Sequence, residues 1–274
     1  MQIIVRQEAG PAHDGLGRRL EDIAAATVPL VTAVTELPLP ERLVIRTMTV
    51  TDWKKAHRQS SKAMLVADTL RYPSGPRLKA RLARRFRLAF MMHMWPAMLG
   101  EAKALHDPAS PELIMLPEAL EHAGRLDDAA VLHKTVAHET THIAQDAASG
   151  GTLWAAQDCF FPVQAGTAGR NYAALVEGHA YWADSQITSK LFGAAISTDT
   201  PSPDASADYL KIFSSPARTK AVEVQRQATH AVAGIIDRVG VSAFNRVWAD
   251  PDLVPLTSET ASPESWESWG ERLR

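Results

Sequence analysis

The sequence predicts a mainly helical α+β fold with a small sheet. Long stretches carry apolar residues at helical spacing, at 16–34, 131–147, 172–192 and 216–239. Shorter segments have the β-branched or apolar composition of strands, at 2–6, 43–50 and 112–116. No repeat or long low-complexity linker interrupts the chain. We therefore expect one domain over residues 1–274, with a mostly helical N-terminal part (1–105) and a C-terminal helical part (106–274).

Two boundaries are predicted in the N-terminal part. Pro29 is expected to end or kink the helix at 16–34, because proline lacks the amide hydrogen that an interior helical position needs. Thr51 or Asp52 is expected to cap the next helix, which should stop before the turn at 72–76 that contains Pro and Gly.

The helix predicted at 77–99 has six Lys or Arg residues in its first half. We expect these cations to form a solvated face over a buried face that carries Leu82, Phe86, Phe90 and Met94. A phosphate group or an anionic membrane is the alternative partner for such a basic face. The overall net charge of -2 favours the solvated face.

A loop is predicted at 107–111, followed by the strand at 112–116. Because this strand comes just before the helix at 131–147, we expect it to be the sheet edge that pairs with an extended substrate. Asp127 or Asp128 can cap the start of that helix.

The helix at 131–147 contains the sequence His138-Glu139-Thr140-Thr141-His142. Two histidines four residues apart share one helical face, so both imidazoles can reach one metal ion. Glu139 is placed to act as a general base towards a water that the metal activates. His133 and His122 are expected to be partly buried or surface histidines rather than ligands.

A catalytic zinc usually has three protein ligands, so a third ligand is expected downstream. Glu177 is the first candidate, and Gly178 beside it would let two helices approach closely. His179 is the competing candidate. It lies about 200° around the helix from Glu177, so the two cannot face the same ion. Asp184 could accept a hydrogen bond from a ligand histidine.

Composition excludes several classes of protein. The apolar content of 46% and charged content of 22% are those of an ordinary globular protein, and the net charge argues against a general nucleic-acid binder. Cys159 is the single cysteine, which excludes an intrachain disulfide and fits a reducing compartment. The N-terminus lacks the apolar core of a signal peptide, and the apolar run at 88–99 is too short to span a bilayer. We therefore expect a cytoplasmic protein.

Three segments together resemble a known family: HETTHIAQ at 138–145, LVEGHAYWAD at 175–184 and RVWADPDLVPLTSETASPESW at 246–266. They are similar to the mostly actinobacterial zincin-like metallopeptidases, sometimes labelled as associated with deazaflavin cofactor biosynthesis. The late Pro-x-x-Trp pattern makes the likeness family-specific. The resemblance implies a zincin-like fold with an HExxH active-site helix. It also implies a Zn²⁺ ion held by His138, His142 and Glu177, with Glu139 as the base.

The function that we predict is zinc-dependent hydrolysis, by a metallopeptidase that acts on a peptide or protein substrate, without a nucleic-acid partner or a membrane span. The alternatives are a catalytically silent zinc-containing binding or scaffold protein, and a zinc hydrolase of a non-peptide amide. The oligomeric state stays open. So does the group that stabilises the oxyanion, for which the sequence offers Tyr172, Tyr181, His179, Arg226 and His230.

Overall fold

The computed structural model describes residues 1–107 and 110–274. The loop predicted at 107–111 includes residues 108 and 109, which lie outside the described residues. In the described part of the chain, helices predominate and a four-stranded sheet accompanies them. This architecture confirms the predicted mainly helical α+β fold with a small sheet.

The bounds of the elements agree with several of the predictions, including those of the helices at 172–192 and 216–239. The strands are β1 (Gln2–Glu8), β2 (Arg42–Met48), β3 (Glu101–Lys103) and β4 (Glu112–Met115). The helices are α1 (Asp14–Thr35), α2 (Val50–Arg71), α3 (Arg77–Met94), α4 (Pro117–His122), α5 (Ala129–Ala148), α6 (Leu153–Gln157), α7 (Tyr172–Phe192), α8 (Ala207–Phe213), α9 (Pro216–Val239), α10 (Val241–Phe244), α11 (Arg246–Ala249) and α12 (Pro263–Gly270).

The sheet has the strand order β1-β2-β4-β3. The first three strands are parallel, whereas β3 pairs with β4 in the antiparallel sense. The prediction that 112–116 forms the substrate-binding edge is therefore wrong, because β4 is paired on both sides. The edge next to β4 is β3, which was not predicted because Glu-Ala-Lys contains no β-branched residue.

A buried ion pair joins the central strands. The guanidinium of Arg46 on β2 donates from Nε and Nη2 to the two carboxylate oxygens of Glu112 on β4, at 2.8 and 2.7 Å. Arg46 also contacts Glu8 on β1. The bidentate geometry satisfies both charged groups, so the pair can be buried. Together with the contact to Glu8, it ties β2 to both of its neighbouring strands.

Helices cover both faces of the sheet. One face, with Leu43 and Leu113, packs against apolar residues of α1 and α5. The opposite face, with Ile114, packs against Trp53 of α2 and the end of α3. A second large core joins α7, α9 and the C-terminal segment. Helix α5 lies between the sheet and α7, which places the predicted metal-binding motif at the centre of the molecule.

Two of the predicted boundaries in the N-terminal part are wrong. Pro29 does not end α1, which continues to Thr35, so the boundary predicted there is wrong. Because proline has no amide hydrogen, the carbonyl of Ala25 lacks its helical hydrogen bond. Ala25 and Pro29 are both exposed, so water can bind that carbonyl. The cap of α2 is Thr49, whose hydroxyl accepts a hydrogen bond from the amide of Asp52 at 3.1 Å.

The predicted burial of the third helix is also wrong. Helix α3 ends at Met94, where a short 3-10 turn follows. Leu82, Phe86 and Phe90 are 46%, 75% and 62% exposed, so they do not form a buried face. In the described part of the chain, no helix combines the length and the apolar character that crossing a bilayer requires.

Candidate metal centre

Helix α5 carries three of the predicted site residues. The carboxylate of Asp128 caps its start by accepting a hydrogen bond from the amide of Val131 at 3.1 Å. The helix is buried along most of its length, so packing on several sides holds the backbone that carries His138, Glu139 and His142.

Helix α7 brings Glu177 to the same place. It starts at the cap residue Asn171, ends at Gly193 in the left-handed conformation, and packs against α5 on one side and α9 on the other. A Cβ atom at Gly178 would lie 2.9 Å from the backbone carbonyl of Ala228 on α9. The prediction that Gly178 allows close helix approach is confirmed.

The three predicted ligands converge on one point. The Nε2 atoms of His138 and His142 are 3.2 Å apart, and the carboxylate oxygens of Glu177 lie 3.5 Å from the first and 3.7 Å from the second. Zinc bonds of about 2.0–2.1 Å in a tetrahedron separate ligand atoms by about 3.3–3.4 Å. The spacing therefore fits one zinc ion between these three side chains.

The outer nitrogens of both histidines are engaged. Nδ1 of His138 donates to Asp184 at 2.9 Å, and Nδ1 of His142 donates to the side-chain oxygen of Gln145 at 2.9 Å. The orientation of Gln145 is fixed because its amide nitrogen donates to the carbonyl of Val176 at 3.0 Å. A proton on each Nδ1 leaves both Nε2 atoms as the positions that can bind a proton or a metal cation, at the same point.

Asp184 is itself held by a buried cation. Its second oxygen accepts a hydrogen bond from Lys134 at 2.7 Å, and Asp184 is fully buried. Lys134 lies one turn before His138 on α5, and its ammonium also lies 5.2 Å from the ring centre of Tyr181. The Lys134–Asp184–His138 chain thus fixes the orientation of one ligand through two charge-assisted contacts.

The electrostatics of the three groups also suit a cation. Burial raises the pKa of Glu177, but the hydrogen bond and charge of His138 and the charge of His142 outweigh it and lower that pKa to about 2. Burial lowers the pKa of His138, whereas the hydrogen bonds with Asp184 and Glu177 raise it, for a net rise to about 10. Burial lowers the pKa of His142, which keeps this imidazole neutral. The surrounding carboxylates thus favour positive charge at the point where the ligand atoms meet.

Glu139 lies beside the ligands, but its hydrogen bond is to the edge strand. Its Oε2 accepts a hydrogen bond from the backbone amide of Ala102 on the edge strand β3, at 2.8 Å. Burial raises the pKa of Glu139, the charge of His138 lowers it and the charges of Glu177 and Glu101 raise it, for a net rise to about 7. A carboxyl group with such a pKa can exchange a proton near neutral pH.

The other candidate histidines lie outside this group. His179 is fully buried, its Nδ1 accepts a hydrogen bond from Gln145, and its ring stacks on Phe244. Burial lowers the pKa of His179 to about 3, so it is a neutral core residue. Nδ1 of His133 contacts the hydroxyl of Thr27, and His122 contacts Ser206 and Trp95. Among the described residues, the group able to hold a metal consists of the three predicted ligands.

The ligands open into a cleft of about 390 Å³ that is also lined by Glu139 and by the edge strand. Of the five residues predicted as possible oxyanion donors, Tyr181 lines this cleft, and its ring lies 4.5 Å from that of His138. Tyr172 and His179 belong to the core, and Arg226 and His230 line other clefts.

Several residues of the cleft were not predicted. Asp158 pairs with both Lys103 and Arg87, and Tyr209 and Arg218 also line the wall. These residues come from separate elements far apart in the chain, so no local spacing could have indicated them. Gln145 and Lys134 could have been found, since they lie three and four residues from the motif histidines on the same helix.

Comparison with known proteins gives one finding. Residues 220–266 match the family model described as zincin-like metallopeptidase. No curated protein and no solved structure matches the chain significantly. The matched segment follows the three ligands in sequence and includes Trp248 and the Pro263 to Trp266 pattern. The match confirms the zincin-like part of the predicted resemblance: in this segment the chain carries the sequence pattern of the zincin-like metallopeptidases.

Proposed function

We propose that the chain is a zinc-dependent peptidase in which His138, His142 and Glu177 hold the metal and Glu139 transfers the proton. The observation that supports this most strongly is the convergence of three ligand atoms in an open cleft, with the Glu139 carboxylate beside them. Three protein ligands with one open position are typical of catalytic zinc, whereas structural zinc usually has four protein ligands.

The chemistry divides between the ion and the chain. When bound, zinc supplies a Lewis acid that polarises the scissile carbonyl and acidifies water. Glu139 accepts the proton of the attacking water and passes it to the leaving nitrogen. Its Oε2 is held by the amide of Ala102, while no described residue hydrogen-bonds to Oε1, so one oxygen is available for this transfer.

The edge strand supplies a template for an extended substrate. The amide of Ala102 points away from β4 and towards Glu139. In an antiparallel pair of strands, the amide and the carbonyl of one residue point to the same side, so the carbonyl of Ala102 also points away from β4. The carbonyl of Ala102 can therefore accept a hydrogen bond from the backbone of a bound peptide. This arrangement favours a peptide over a small non-peptide amide.

Tyr181 is the group that we assign to the oxyanion. It lies one turn after Glu177 on α7 and faces the ligand His138. Burial raises the pKa of its phenol, so the hydroxyl keeps its proton and can donate it as a hydrogen bond. A preorganised donor of this kind lowers the energy of the tetrahedral transition state.

The test compares wild type with Glu139→Gln on a mixture of unstructured peptides, with products identified by mass spectrometry. We expect the variant to keep its zinc and to lose about 10²–10⁴-fold in turnover, which is the usual contribution of a general base. A fully active Glu139→Gln would refute the mechanism. A wild-type protein that binds zinc but cleaves neither peptides nor small amides would instead support the binding-protein alternative.

A further inference from the structure

Helix α3 presents an apolar stripe to solvent. Leu78, Leu82, Phe86 and Phe90 are 72%, 46%, 75% and 62% exposed. Residues spaced by four drift only about 40° around a helix, so the four side chains lie along one side of it. The opposite side carries Ala80, the buried residue of this helix. The stripe therefore points away from the body of the protein.

The same helix is strongly basic. Between Arg77 and Met94 the sequence has six Lys or Arg residues and no Asp or Glu. Arg87 pairs with Asp158, and Arg84 donates to Ser61. The other four cations have no ion-pair partner among the described residues: Arg77, Lys79, Arg81 and Arg85. Free cations thus flank an exposed apolar stripe.

The neighbouring helix also carries exposed apolar residues. Leu65 of α2 and Ala80 of α3 belong to one core cluster, and Ser61 contacts Arg84, so the two helices form an antiparallel hairpin. Val66 and Leu70, at the end of α2, are 53% and 77% exposed. Residues 50–94 carry a net charge of +9, whereas the rest of the chain carries −11. These two charges of opposite sign nearly cancel in the overall net charge of -2.

We infer that the outward face of this hairpin binds the surface of a membrane that contains anionic lipids. A helix with Lys and Arg beside a Leu and Phe face lies in the interface, with its apolar side chains among the acyl chains and its cations at the headgroups. A nucleic-acid backbone binds through its phosphates to Lys and Arg, and exposed leucine and phenylalanine side chains do not contribute to that interaction. The combination of both features selects the lipid surface.

This inference is independent of the metal centre. The side of α3 that carries Arg87 faces the cleft through Asp158, whereas the stripe points outward. Substitutions in the stripe should therefore leave zinc content unchanged. An exposed apolar stripe also has little packing to lose, so these variants should fold.

The experiment is flotation of the zinc-loaded, full-length protein with vesicles of phosphatidylcholine alone or mixed with phosphatidylglycerol. Wild type should float with the mixed vesicles in low salt and much less with phosphatidylcholine. Phe86→Gln with Phe90→Gln should weaken binding at least about tenfold, because two apolar anchors are lost. Arg81→Gln with Arg85→Gln should weaken it about thirtyfold, since each cation near an anionic surface contributes about fivefold.

Val163→Gln is the matched control, because Val163 is 74% exposed but lies outside the hairpin. It should bind the mixed vesicles like wild type. The inference fails if wild type does not float with them, or if the double phenylalanine variant binds as tightly as wild type. It also fails in favour of another partner in two cases. In the first case, wild type binds duplex DNA or RNA, the arginine variant loses this binding and the phenylalanine variant keeps it. In the second case, wild type is a dimer and the phenylalanine variant is a monomer.

Discussion

At the scale of single residues, the orientation of the proposed ligands depends on side chains outside the five-residue motif. His138 is held by Asp184, which Lys134 holds in turn, and His142 is held by Gln145. The sequence predicted the two histidines from their spacing and Glu177 from its place beside Gly178 and from the family resemblance, and it suggested Asp184 as a hydrogen-bond acceptor. It could not predict Asp158 or the edge-strand amide that binds Glu139, because tertiary structure alone brings those groups to the cleft.

Replacing Asp184 with Asn should lower zinc affinity by about 10–100-fold, the usual cost of losing a carboxylate that orients a ligand histidine. Competition with a chelating dye would measure the affinity. Asp158→Asn is the control, since Asp158 is also buried but pairs with Lys103 and Arg87 instead of a ligand. Equal affinities for the two variants would show that Asp184 does not tune the site.

Replacing Tyr181 with Phe should reduce kcat by about 10²-fold with little change in KM, because a transition-state hydrogen bond is lost. Zinc content should be unchanged. Tyr172→Phe, a substitution in the core away from the cleft, should keep normal kcat. If Tyr181→Phe were as active as Tyr172→Phe, the oxyanion would have to be stabilised by another group.

At the scale of secondary-structure elements, the site depends on how closely α7 lies against α5 and α9. The bounds of α7 and α9 were predicted from the sequence because apolar residues at helical spacing continue through each of them; in the structure, Gly193 follows α7 and Gly240 follows α9. The edge strand β3 was missed because it has three residues and no strand-like composition. The buried face of α3 was predicted wrongly, since periodicity shows that a helix has an apolar side but does not show whether anything covers it.

Gly178→Ala should destabilise the protein by about 1–3 kcal/mol, because the new methyl group would push α7 away from the backbone of α9. Denaturant titration would measure the change in the free energy of unfolding. Gly234→Ala is the matched control on α9, where a Cβ atom meets nothing within 4 Å. We expect it to stabilise the protein by about 0.5–1 kcal/mol, since alanine favours the helix. Equal effects of the two substitutions would contradict the close contact of α7 with α9.

At the scale of the whole molecule, the metal centre lies between α5, which packs in both large cores, and α7, which packs in the C-terminal core. Helix α5 contributes Leu132, Val136 and Ile143 to the core against the sheet, and Ala137 and Ala144 to the C-terminal core, to which α7 also belongs. An ion held between His138, His142 and Glu177 would add a further link between α5 and α7. The mainly helical fold was predictable from composition and periodicity, but this arrangement was not, because it depends on which helices are neighbours.

Adding zinc to chelator-treated protein should therefore raise Tm by on the order of 10 °C when the free metal is well above its Kd. Differential scanning fluorimetry would record the shift. Magnesium should give no comparable rise, since two imidazoles suit zinc better than magnesium. A Tm that does not respond to zinc would show that metal binding does not stabilise the fold.

The most direct test of the account is the metal content of the purified protein, measured by mass spectrometry after reconstitution and dialysis. We predict about one zinc per chain in wild type. Zinc should be lost in His142→Ala and Glu177→Gln and retained in two matched controls. These are His133→Ala on the same helix as His142, and Glu223→Gln on α9. Zinc retained in Glu177→Gln, or absent from wild type, would contradict the proposed ligand set and the function built on it.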